Sequence, residues 1–210
     1  MDIELLELDI KASEMCREAL KLQDDPESWD TIQHCGKLSA YFKKAYPIES
    51  YKMEAFIDKS PEKVIDHLFE NWQLIRPAMH DLIDSAKVIK TYNSSAKLIS
   101  EITRFVPGDE PREIFDFLIK KELTDGTWAL VSGNAEHIVD LTTSRFPRAD
   151  MKMGVQIARP VLCHGNLTHF IAVTQFDPKL SVPQDIIEYI MKARYEFHES
   201  LVKKLHDELT

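Results

Sequence analysis

"DIIEYIMKARYEFHESLVKKL", residues 185–205, carries more apolar surface than a helix resting on a single neighbour needs. Ile186, Ile190, Ala193, Phe197, Leu201 and Leu205 recur at helical spacing, and Ile187, Met191, Tyr195, His198 and Val202 form a second row beside them. Asp185, Glu188, Lys192, Glu196, Glu199 and Lys203 fill the remaining sector, so the helix keeps one solvated side. Something must cover both apolar rows. One stripe suffices for docking on a sheet, so the second row needs a cover of its own.

The rest of the chain supplies material for that cover. "IELLELDIKASEMCREALKLQ" (3–23) spaces Ile3, Leu6, Ile10, Ala12, Met15, Ala19 and Leu22 as a first helix, which stops at the breaker "DDPES". Three short runs with strand character follow, "WDTIQHC" (29–35), "LSAYFKKA" (38–45) and "YKMEAFID" (51–58), parted by "GK" and "YPIES" as in an antiparallel meander. "SPEKVIDHLFEN" (60–71) opens a second helix, with Ser60 as N-cap, Pro61 at the first helical position and Glu62 complementing the helix dipole. Val64, Ile65, Leu68 and Phe69 give it a buried face, and "NWQLIRPAMHDL" (71–82), interrupted by Pro77, reads as irregular.

Six further strand candidates occupy "SAKVIKTYN" (85–93), "AKLISEITRF" (96–105), "EIFDFLIKKE" (113–122), "TWALVSG" (127–133), "KMGVQIARPVLC" (152–163) and "THFIAVTQFD" (168–177). With the meander these make about nine strands, with helices at both ends and one between, an order that predicts an α+β fold built on a single curved antiparallel sheet. At roughly 1.5 Å per residue the final helix is long enough to run the width of such a sheet.

Composition narrows the function. The 210 residues fit a single domain, 1–210, and 44% hydrophobic content suffices for one core. No window reaches the roughly 18 consecutive apolar residues of a membrane span, and the acidic start "MDIELLELDIKASE" is unlike a signal peptide, which predicts a soluble cytoplasmic protein. A net charge of -9 with dispersed lysines argues against nucleic acid, because phosphate contacts need a concentrated basic surface. Cys16, Cys35 and Cys163 are isolated thiols without CxxC spacing, so neither a disulfide framework nor a structural metal is expected. The absence of a G-x-S-x-G elbow, a P-loop and HExxH argues against a conventional hydrolase or nucleotide enzyme, and no cofactor is implied.

The element order, together with "PREIFDFLIKKE", "TWALVSGNAEH", "FPRAD", "NLTHFIAVTQFDP" and "VPQDIIEYIMKARYEFHESLVKKL", resembles the START family of lipid-transfer domains over nearly the whole chain. The resemblance implies a helix-grip fold, with the C-terminal helix closed over a curved sheet and its second apolar row facing a lipid cavity. It also implies a monomer that holds one sterol, phospholipid, ceramide or fatty acid and touches membranes transiently. Some sterol-binding members place an acidic residue and an arginine on neighbouring strands deep in that cavity. Glu101 stands at the acidic position, but Leu118 stands at the arginine position, so that strand-to-strand pair is absent. "FVPGDEP" (105–111) corresponds to the lid, from which Val106, with Phe105 if opening swings it outward, would enter a membrane interface.

Candidate ligand-contacting residues are therefore Glu101, Thr103, Phe105 and Leu118 on the strands, and Ile187, Met191, Arg194, Tyr195 and His198 on the last helix. Glu101 is either a solvated strand carboxylate or, if Ile99, Glu101, Thr103 and Phe105 turn inward, a buried charge in need of a partner or a raised pKa. Arg194 is one candidate partner, although a long arginine can equally reach water. An enzyme of the related helix-grip hydrolase or cyclase type, with Glu101 or His198 as general base, is the alternative to lipid binding and transfer.

Overall fold

A computed structural model describes residues 2–24, 29–35, 38–43, 50–79, 83–104, 110–136, 145–162, 164, 166–179 and 184–208, with side chains except at 31–35, 42, 43, 79, 184–188, 190, 191 and 208. The chain begins with α1 (Ile3–Gln23), whose first turn is closed by the Asp2 carboxylate accepting from the Glu4 N–H at 3.1 Å. Then come β1 (Asp30–Cys35), β2 (Leu38–Lys43), β3 (Ser50–Ile57) and α2 (Pro61–Met79). Six strands follow: β4 (Ile83–Asn93), β5 (Ala96–Thr103), β6 (Arg112–Glu122), β7 (Trp128–Asn134), β8 (Asp150–Pro160) and β9 (Thr168–Asp177). The described chain ends with α3 (Gln184–Glu208).

All nine strands join one antiparallel sheet in the order β1-β2-β3-β9-β8-β7-β6-β5-β4. The curved sheet grips α3, as the surplus apolar face requires. Pairing of β3 with β9, in register from Ser50↔Gln175 to Ile57↔Thr168, fuses the N-terminal meander to the C-terminal strands. The edge strand β4 carries three register shifts against β5 and exposes Lys87 and Lys90, features that discourage pairing with another chain.

Strand alternation divides the interior in two. On β6, Phe115, Phe117 and Ile119 face α1 and join Leu8, Ala12 and Met15 in one core. Leu118 faces the opposite way, with Ile99 of β5 and Leu130 of β7, into the core under α2 and α3. Gly133 of β7 permits the close approach of α1, since a Cβ there would lie 2.7 Å from Met15 Cε and 3.1 Å from Phe117 Cε1.

The second helix is longer than its proline suggests. Residues 71–79, expected to be irregular, continue α2 with Pro77 inside its last turn. Trp72 and Ile75 extend the buried stripe of Ile65, Leu68 and Phe69, and their burial outweighs the one backbone hydrogen bond that Pro77 cannot donate. Lys97 donates to the Phe69 carbonyl at 3.0 Å and Lys120 pairs with Asp66, fastening α2 to the sheet.

Both described rows of α3 are covered, while Lys192, Glu196, Glu199 and Lys203 are exposed. Its burial divides along the length of the helix and not by row. Ala193, Phe197 and His198 border open space, whereas Leu201, Val202 and Leu205 lie in solid core. Leu201→Ala is therefore expected to cost about 2–5 kcal/mol and Glu199→Ala less than about 0.5 kcal/mol. Urea unfolding of the two variants measures the difference.

Candidate functional site

The open space is a cavity of about 150 Å³ between the sheet, α2 and α3. It lies at the end of the sheet where β5 finishes and β6 starts, with Thr103 and Arg104 on one side of that junction and Ile114 on the other. The beginnings of β3, β4 and β8 and the end of β9 meet there through Tyr51, Ile83, Met151 and Phe176. Across β7, β8, β9 and β3, the residues Ser132, Gly154, Thr174 and Tyr51 stand side by side in register. A Cβ on Gly154 would come within 2.3 Å of Ser132 Oγ, so glycine keeps this part of the wall open.

One ion pair organises the wall. Arg76, in the last turns of α2, donates through Nε to Glu101 Oε1 and through NH2 to Oε2, each at 2.9 Å. Trp72 and Phe197 present their rings to the guanidinium, with centroids 5.0 and 4.8 Å from Cζ. The Glu101 side chain is 4% exposed and that of Arg76 17%, so this is a largely desolvated bidentate pair joining α2, β5 and α3.

His198 anchors the helix side. Its Nδ1 lies 2.8 Å from the Arg194 carbonyl oxygen, and donation from Nδ1–H leaves Nε2 as the acceptor. The imidazole stacks on Tyr51, with centroids 5.2 Å apart, and meets Phe197 edge-on at 5.1 Å. Burial, together with the Arg76 and Arg194 charges, lowers its pKa to about 4 against the favourable bond to the Arg194 carbonyl, so the ring is neutral at physiological pH.

Four residues of the cavity wall each carry a buried polar atom with no hydrogen-bond partner among the described residues: Tyr51 Oη, Trp72 Nε1, Asp116 Oδ1 and Gln156 Oε1. Burial pushes the Tyr51 phenol up. Asp116, 3% exposed, is held well above the usual carboxylate range by burial and by the nearby charges of Glu101 and Asp150. Apolar Ile83, Ile114, Phe176 and Phe197 make up much of the remaining wall. Such a mixture suits an amphiphile, with polar groups fixing one end and apolar side chains covering the other.

Among the residues expected from sequence, Glu101, Thr103, Arg194 and His198 line this cavity. Glu101 is buried, and the cation that meets both of its oxygens is Arg76; Arg194 stands over Phe176, 6.0 Å from the ring centroid. Leu118 and Tyr195 lie in the packed core and not on the cavity wall. Leu118 is one step further along β6 on the same face, where α2 and Ile99 close over it. Phe105 and the lid residues 105–109 lie outside the described residues, as do the side chains of Ile187 and Met191. Arg76, Trp72, Tyr51, Asp116 and Gln156 were missed. Arg76 was recoverable, since the stripe Leu68, Trp72, Ile75 carries helical spacing up to Pro77. Among the described residues no cluster suits a metal ion, and no helix is long and apolar enough to cross a membrane.

No family model and no curated protein matches the sequence. Solved structures do match the fold. The human StAR-related lipid transfer protein 5 superposes with a TM-score of 0.75 at 14% identity, over 97% of this chain and 98% of that one. A STAR-related lipid transfer protein from Xanthomonas axonopodis gives 0.64 at 11% identity, over 85% and 98%. The Zhui aromatase/cyclase from a Streptomyces species gives 0.51 at 7% identity, over 78% and 96%. The chain thus has the helix-grip fold seen in START domains.

Two outcomes follow from this geometry. Glu101→Ala strands the Arg76 charge and should cost about 3–5 kcal/mol, whereas the double replacement Arg76→Met with Glu101→Leu should recover most of that loss. A double-mutant cycle in urea reads the coupling. His198, whose pKa lies lower in the folded than in the unfolded state, contributes stability that is present above pH 6.5 and lost as the pH falls towards 4. At roughly 1.4 kcal/mol per pH unit the loss approaches 3 kcal/mol, and His198→Phe should flatten the stability profile across that window.

Proposed function

We propose that this protein binds one lipid per monomer in the cavity between the sheet and α3 and carries it between membranes in the cytoplasm. The observation that carries this reading is that four residues lining the cavity, Tyr51, Trp72, Asp116 and Gln156, each carry a buried polar atom without a hydrogen-bond partner among the described residues, in a wall whose remainder is largely apolar. Unmet buried hydrogen-bonding groups cost stability, and a polar head group that satisfies them regains it. Each lipid methylene removed from water adds about 0.8 kcal/mol. Sterol, phospholipid, ceramide and fatty acid are all candidates at this level. The named lipid transfer proteins with which the fold superposes support the same reading by analogy.

At about 150 Å³ the cavity is on the scale that admits a benzene ring, below the roughly 300–1,000 Å³ of sites for larger ligands. Uptake of a whole lipid thus requires its walls to part. The separation we propose is between α3 and the end of β5, where Thr103 and Arg104 border the cavity, with transient membrane contact at that end.

The enzymatic alternative has weaker support. Both carboxylate oxygens of Glu101 are occupied by Arg76, and a histidine that protonates only near pH 4 is a weak base. Turnover of an added hydrophobic substrate, abolished by His198→Gln, would reverse this preference.

The main test is titration with fluorescent sterol, phospholipid, ceramide and fatty-acid analogues, combined with mass spectrometry of the purified protein. Saturable uptake of one molecule per chain is expected. Ala193→Phe, which adds bulk to the α3 wall, should lower uptake about tenfold or more with an unchanged circular dichroism spectrum. Failure of every analogue to bind would refute the proposal.

A further inference from the structure

Asp116 is the least expected residue on the cavity wall, and its surroundings say what it can recognise. It projects from β6 between Ile114 and Leu118, opposite Ile99 on β5 and Asn134 on β7, with 3% exposure and Oδ1 unpartnered among the described residues. The cations on the same wall are already engaged. Arg76 is bound bidentately by Glu101, Arg104 donates to Asp84 at 3.2 and 2.7 Å, and Arg194 stands over Phe176 at the half-buried rim. An anionic head group brought to Asp116 would meet the Glu101 carboxylate and a second carboxyl without a new counter-ion, which makes its desolvation costly.

The unpartnered atoms also define a complementary pattern. Tyr51 Oη and Trp72 Nε1 donate, Gln156 Oε1 accepts, and a protonated Asp116 both donates and accepts. Hydroxyl and amide groups match such a set, because each offers donor and acceptor together, or one of each in close succession. Burial supports the uncharged state of Asp116 independently of the hydrogen-bond pattern.

Resting on the lipid-binding reading above, we propose that Asp116, with Tyr51, Trp72 and Gln156, forms a subsite for an uncharged lipid head group bearing hydroxyl or amide functions, and that the cavity discriminates against carboxylate and phosphate heads. Asp116 acts there as a neutral hydrogen-bonding group and not as a counter-ion.

A series of amphiphiles sharing one saturated chain tests this: the alcohol, the monoacylglycerol, the primary amide, the carboxylate, the lysophosphatidate and the amine. Each is titrated at neutral pH against a bound fluorescent sterol or ceramide probe. Alcohol, monoacylglycerol and amide are expected to bind at least about tenfold more tightly than carboxylate and lysophosphatidate. Asp116→Asn keeps a donor and an acceptor and should hold the uncharged ligands within about twofold, whereas Asp116→Leu should weaken them about threefold to tenfold. Circular dichroism and thermal melting establish that each variant is folded, and the Asn variant with the wild-type series decides the matter if the Leu variant does not fold. Anionic members binding as tightly as the alcohol would overturn the proposal. So would an amine that binds tightest and is lost in Asp116→Asn, which would make Asp116 an ionised counter-ion. Unaltered binding by a folded Asp116→Leu variant would overturn it as well. Binding of neither the probe nor any amphiphile by the wild type would overturn the lipid-binding reading itself, whereas the preceding outcomes leave that reading intact.

Discussion

The Arg76–Glu101 pair is the constraint on which the cavity depends. Two charges withdrawn from water cost several kcal/mol each, and only close, hydrogen-bonded geometry returns that energy. Both oxygens of Glu101 are met at 2.9 Å, and the guanidinium is covered by Trp72 and Phe197. Such a pair adds little net stability over apolar side chains of the same shape. Its effect is positional: α2 must reach β5 at the level of Glu101, and α3 must bring Phe197 to the other side of the guanidinium. Between those fixed points the sheet and the two helices stand apart, and the space between them is the cavity.

The two faces of the sheet divide the work. Against α1 the packing is close, with Leu8, Ala12, Phe117, Val131 and Val155 fully buried and Gly133 admitting the helix at short range. Against α2 and α3 the packing is close only at one end, around Leu118, Leu201 and Leu205. At the other end polar groups replace aliphatic ones in successive inward positions, Glu101 on β5, Asp116 on β6 and Ser132 on β7. These side chains cannot interdigitate as leucines do, and the chain gives up packing energy there while the α1 face and the solid end hold the sheet together.

The same division runs along α3. Its C-terminal turns are tied into core by Leu201, Val202 and Leu205. Its earlier turns, from Ala193 to His198, face the cavity and are held by fewer and more specific contacts: the Tyr51 stack, the Phe197 face on Arg76 and the ring of Phe176 beneath Arg194.

Much of this was written in the sequence alone, because it depends on local periodicity. The surplus apolar face of residues 185–205 called for a cover on both rows, the alternation from 85 to 177 supplied strands for it, and Ile99, Glu101 and Thr103 fall on one face of β5, whose inward direction the sequence left open. Local pattern also misled once: Pro77 suggested a break where the continuing stripe of Trp72 and Ile75 holds the helix to Met79. Tertiary structure alone decided the partners. Whether Glu101 meets Arg76 or Arg194, whether Leu118 borders a cavity or fills a core, and whether Asp116 Oδ1 finds a partner among the described residues all depend on how far α2 reaches across β5 and β6. Periodicity fixes which face of an element is buried, since that is set by a few residues on one strand or helix. The chemistry of the buried face is set by distances of a few ångströms between elements far apart in the chain, and those exist only once the sheet has curved and both helices have closed on it.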